Sequence, residues 1–169
     1  MKRIILFAVL AIIVTSPVFA QKKRNVSTSD VQTCFLGAEF GTSQSQAYSA
    51  VFDATGSTLT EYNGCFVVKH AYIGGVTWNS ARFNCPKKVF TSLVLRRGAE
   101  QSEWLADVKE KVETALNAKY PMQDDGKGNL VYTDHEGNTV KYTPSEKSIE
   151  LRYISYMEAE KVKEEMAEF

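Results

Sequence analysis

Apolar residues recur along the chain in two rhythms, and the change from one to the other divides it into elements. Ala47, Tyr48 and Val51 fall at helical spacing behind Ser43, which can cap, and Gln46, which can complete a capping box; Gly56 supplies the stop. Three strand-like runs follow at 65–73, 76–85 and 89–95, broken at Gly74-Gly75 and at Pro86-Lys87-Lys88, so 65–95 reads as a three-strand meander. Helical rhythm returns over about 100–119, where Trp104, Leu105, Val108, Val112, Ala115 and Leu116 share a face and Pro121 ends the run. With a tryptophan at its start, this helix is expected to cover the sheet and carry much of the core.

The second β-rich stretch holds a small internal echo. Asp125-Gly126-Lys127-Gly128-Asn129-Leu130-Val131 and Asp134-His135-Glu136-Gly137-Asn138-Thr139-Val140 both fit D-x-x-G-N-x-V, nine residues apart. Each reads as a Gly/Asn turn feeding a strand. Residues 130–133 and 139–143 are expected to form a hairpin, and Ile149, Leu151 and Tyr153 alternate with Glu150 and Arg152 as a half-buried strand. At the front, 31–40 is a short apolar run suited to an edge strand or an extended entry into the core. Residues 157–169 suit an amphipathic helix, with Val162, Met166 and Phe169 on one face. The expected architecture is α+β: antiparallel sheet of about five to seven strands, two main helices packed on one face, and a C-terminal helix. One domain spans 31–156.

The first twenty residues follow a different logic. Lys2 and Arg3 precede eleven apolar residues at 4–14, Thr15, Ser16 and Pro17 break the run, and Val18-Phe19-Ala20 sets small residues at −3 and −1 of a cut before Gln21. That is the pattern of a cleavable signal peptide, so the protein is expected to be exported, periplasmic or secreted. Membrane attachment would arise only through an uncleaved signal. Gln21 stands where a lipoprotein would carry cysteine. Residues 21–30 read as a flexible basic and polar leader.

Removing 1–20 leaves 149 residues with 18 Lys+Arg against 20 Asp+Glu, a formal charge of −2. No electrostatic case for nucleic acid follows from that balance. Three cysteines remain, Cys34, Cys65 and Cys85. A turn at Gly74-Gly75 would set Cys65 opposite Cys85, and an oxidising compartment makes that pair a candidate disulfide.

The element order, with Phe40-Gly41-Thr42-Ser43 leading into a helix and Gly75-Val76-Thr77-Trp78 before a strand, resembles small exported bacterial proteins of the β-lactamase-inhibitory-protein type. The resemblance covers most of 35–155. It implies protein binding rather than catalysis, and carries over no functional residue.

Catalytic chemistry finds little to stand on. Strict alternation along 65–73 would point Cys65 and His70 to opposite faces, which excludes them as a thiol–imidazole pair. There is no H-E-x-x-H, Cys-x-x-Cys, phosphate-binding glycine loop or G-x-S-x-G, so no metal or cofactor is expected. The acidic turns at Asp124-Asp125-Gly126 and Asp134-His135-Glu136-Gly137 lack the twelve-residue calcium pattern and are expected to serve the turns themselves. Asn25-Val26-Ser27 matches a glycosylation sequon. Aromatics are the richer signal: Tyr72, Trp78, Tyr132, Tyr142 and Tyr153 fall in or beside strands and form a candidate interaction surface for a protein or glycan. The leading expectation is a non-enzymatic binding or accessory protein of the cell envelope, its partner another envelope or extracellular protein or a glycan. The rivals are a small exported hydrolase built around His70 or His135, and a structural subunit assembling through its C-terminal helix or Cys34.

Overall fold

A computed structural model describes residues 30–98 and 102–158. The expected signal segment, the sequon, the leader before Asp30 and the tail helix beyond Glu158 lie outside the described residues.

Helix α1 (Gln44–Thr55) forms where its caps say it should. Ser43 Oγ accepts from Gln46 N at 3.3 Å and Gln46 Oε1 accepts from Ser43 N at 3.2 Å, closing the capping box. Gly56 ends the helix at φ 60, in the left-handed region.

Short strands β1 (Cys34–Phe35) and β2 (Ala38–Glu39) make a separate two-stranded hairpin from the apolar run at 31–40. All other strands join one antiparallel sheet. The first meander is β3 (Thr60–Tyr62), β4 (Cys65–Ile73), β5 (Val76–Asn84) and β6 (Ser92–Gly98). The second is β7 (Gln123–Asp124), β8 (Leu130–Thr133), β9 (Thr139–Pro144) and β10 (Ser148–Ile154), and the two are spliced by pairing β6 with β10. The order is β3-β4-β5-β6-β10-β9-β8-β7, eight strands against the expected five to seven. The excess comes from β3 and β7, edge strands of three and two residues that are too short to show a period in sequence. The third strand of the first meander begins at Ser92 rather than Val89, because Pro86–Lys88 turn as one round of 3-10 helix with Lys87 and Lys88 at positive φ.

One face of the sheet is apolar and both helices sit on it. Phe66, Phe83, Leu93, Leu95, Ile149 and Leu151 point inward. Helix α1 adds Ala47 and Val51, with the Tyr48 ring 5.5 Å from Phe66. Helix α2 (Ser102–Lys119) adds Leu105, Val112 and Leu116 to the same cluster. Each large apolar side chain so buried contributes roughly 1.5–3 kcal/mol, which makes this face the main source of stability.

The expected role of Trp104 is corrected. It lies 64% exposed at the outer edge of α2, and the tryptophan that fills the core is Trp78, 2% exposed on β5. Its indole Nε1 donates to Ile73 O at 3.1 Å, satisfying the one polar atom that burial would orphan.

Candidate functional site

The β4–β5 hairpin departs from regular alternation, and a histidine-lined cleft opens at the departure. Buried positions step by two along β4 at Phe66 and Val68, then by three to Ala71; along β5 they run Val76, Trp78, then by three to Ala81 and Phe83. His70 and Asn79 are the extra residues, facing each other in a ladder that pairs Lys69 with Ser80 and Ala71 with Trp78. His70 takes φ 54, an uncommon conformation for a side-chain-bearing residue inside a strand. A cavity of about 340 Å³ opens there, lined by His70, Asn79, Arg97, Trp78 and Trp104. Arg97 donates to Thr77 O, and Asn79 Oδ1 accepts from Gly98 N at 2.9 Å. No carboxylate or thiol is among the described lining residues. The sequence argument that kept Cys65 from His70 used strict alternation, which fails here. The separation stands because five residues of strand span about 17 Å.

His135 is placed differently. It sits exposed on the β8–β9 turn, its Nδ1 3.3 Å from Asp30 Oδ1 by distance, without hydrogen-bond alignment.

The sequence echo is a structural echo. Asp125 Oδ1 accepts from the backbone N–H of Lys127 and Asn129, and its Oδ2 accepts from Asn129 Nδ2. Asp134 repeats this with Glu136 N, Asn138 N and Asn138 Nδ2. These bonds hold the Asp125 carboxyl well below the ordinary range, the Asn129 side chain contributing most. The carboxylates are thus committed to their own turns, and among the described residues no group of three metal-ligating side chains forms. The second turn does more than the first. Asp134 Oδ2 also accepts from Val31 N at 3.0 Å, and Asn138 Oδ1 accepts from Tyr156 N at 3.1 Å, so it ties down both ends of the described domain. Gly137 sits at φ 87, where an added Cβ would meet Tyr156 Cβ at 3.2 Å.

Cys65 and Cys85 are neighbours at the end of the hairpin, as expected, but both are free thiols in this structure, so the candidate bridge is not formed here. Both are buried, and burial, with Cys65 beside it, pushes the Cys85 thiol up to about 12. A thiol so held has almost no thiolate to react. Alkylation of the native protein should therefore stop at exposed Cys34, with Cys65 and Cys85 reacting after unfolding without reductant. A requirement for reductant would instead reveal a bridge.

Of the expected aromatic surface, only Tyr72 is fully presented, 69% exposed. Trp78, Tyr142 and Tyr153 are corrected to core residues, because their strand parity points them at the helices; Tyr132 is half-buried and stacked 5.5 Å from Tyr120. Tyr62 joins Tyr72 on the outer face, at the other end of β4.

Among the described residues no helix packs on that outer face, and its central rows are basic. One row across the sheet runs Val67, Arg82, Val94, Arg152, Lys141; the adjacent row runs Lys69, Ser80, Arg96, Glu150, Thr143. Arg96 Nε and Arg152 Nη2 donate to the two oxygens of Glu150 at 2.6 and 2.9 Å, while the Arg96 side chain stays 62% exposed. Burial opposes ionisation of Glu150, but Arg96 and Arg152 outweigh it and hold the carboxyl below its ordinary value. The sign follows: this trio contributes stability fully above the unfolded carboxylate range and loses it as pH falls through the lowered folded value. Glu150→Gln should flatten the acid limb of the stability–pH curve, read by urea midpoints across acidic pH. Among the described residues Lys69 and Arg82 make no ion pair, and Lys141 meets Asp125 at 3.3 Å. None of these cations was singled out from the sequence; the signal was a cation at alternate positions of successive strands, visible once the register is known.

No helix among the described residues is long and apolar enough to cross a membrane. No known family, no curated protein and no solved structure matches the chain.

Proposed function

We propose that the protein is an exported, non-enzymatic binding protein that works through the sheet face opposite its two described helices. One observation carries the reading: that face places five cationic side chains on adjacent strands, of which Lys69 and Arg82 are exposed and make no ion pair among the described residues, while both helices crowd the opposite face. Arginine and tyrosine are residues that dominate binding surfaces when exposed, and Tyr62 and Tyr72 flank the basic rows. The histidines do not compete, since His70 lines a cleft without a described carboxylate and His135 stands on a turn.

The test places a photo-cross-linking amino acid at Ser80, in the basic rows, or at exposed Glu110 on α2, and irradiates cells making the protein. Adducts at Ser80 and not at Glu110 are the expected result. Adducts confined to Glu110, or a hydrolytic activity lost in His70→Ala, would overturn it. The mass of the cross-linked protein also reports export, which predicts a chain beginning at Gln21.

A further inference from the structure

Resting on the open face as the binding surface, we infer that its ligand is an acidic polysaccharide lying across the strands. The charge is laid out as a strip. Arg82, Arg152 and Lys141 stand in one row and Lys69 and Arg96 in the next, spanning β4, β5, β6, β10 and β9. At about 4.8 Å between strands and about 7 Å between like-facing residues, the strip is about 19 Å long and 7 Å wide. A standard protein interface needs about 800 Å² per partner, far more than so narrow a band supplies. A linear chain with an acid group on each repeat fits it.

The chemistry narrows the choice further. Glu150 accepts one hydrogen bond from each of Arg96 and Arg152, which restrains both guanidinium groups before any ligand arrives. A pre-oriented guanidinium presents a fork that matches carboxylate or sulfate oxygens. Single-stranded nucleic acid would want bases stacked on aromatic rings. The two rows hold none: Val67, Ser80, Val94 and Thr143 fill the places between charges, and Tyr62 and Tyr72 lie beyond the rows.

The experiment titrates the full chain with oligogalacturonate of defined length, and in parallel with neutral dextran, polyglutamate, a single-stranded oligonucleotide and phosphatidylglycerol vesicles. Oligogalacturonate should bind, dextran should not, and affinity should fall at least about tenfold between about 50 and 200 mM salt. Lys69→Gln with Arg82→Gln, chosen because neither residue holds an ion pair among the described residues, should weaken it roughly tenfold with the melting temperature unchanged. Binding that survives those substitutions, or that is matched by polyglutamate, the oligonucleotide or the vesicles, would overturn the inference. If oligogalacturonate fails to bind while Ser80 still cross-links a protein, the polysaccharide is wrong and the open-face reading stands. If both fail, both fall.

Discussion

Trp78→Ala is expected to destabilise the protein by about 3–5 kcal/mol, the range for removing a fully buried aromatic. The indole lies between the sheet and α2 beside Leu95, Val112 and Leu116, and its loss leaves a cavity along with an Ile73 carbonyl deprived of its donor. Trp104→Ala, at the exposed edge of α2, should shift stability by less than about 0.5 kcal/mol. Urea denaturation of the pair measures the contrast. Equal losses would mean that the two tryptophans had been assigned to the wrong environments. Trp78→Phe should fall between, keeping most of the volume but not the hydrogen bond.

Asp134→Ala should cost about 3–5 kcal/mol through a different mechanism. Its carboxylate accepts from Val31 N, Glu136 N, Asn138 N and Asn138 Nδ2, and the residue is buried, so several donors lose their partner away from water. Asp125→Ala removes the same turn chemistry from an exposed copy and should have a far smaller effect. Hydrogen exchange adds a local readout: the amide of Val31 should lose protection in Asp134→Ala and keep it in Asp125→Ala. A uniform loss from both variants would mean that the turn itself, not its grip on the entering chain, is what matters.

Local signals were legible in the sequence and long-range ones were not. The α1 capping box, the Gly74-Gly75 turn, the 139–143 strand and the twin Asp turns each depend on residues within a few positions, and the structure shows them where the sequence places them. The splice of β6 to β10 joins residues 50 to 62 positions apart, and no short-range pattern announces it. Edge strands β3 and β7 escaped for want of length. The aromatic residues misled for a physical reason: Trp78, Tyr142 and Tyr153 favour strands whichever way they point, and only parity, known after the register, separates core from surface. The basic strip was hidden likewise, because its five cations come from five strands and cluster only when those strands are aligned.

The three-residue step at His70 and Asn79 bears on how this chain can change length. Because both strands carry the extra residue at the same level, Ala71 still meets Trp78 and both still face the helices. Deleting His70 alone would restore the step of two from Val68 to Ala71 and keep Ala71 and Ile73 inward, but would leave Asn79 with no counterpart on β4, a one-sided bulge. Deleting Asn79 alone would do the same from the other side. Deleting both would straighten the ladder and leave every inward residue inward, so the hairpin should tolerate loss of the pair better than loss of either residue alone.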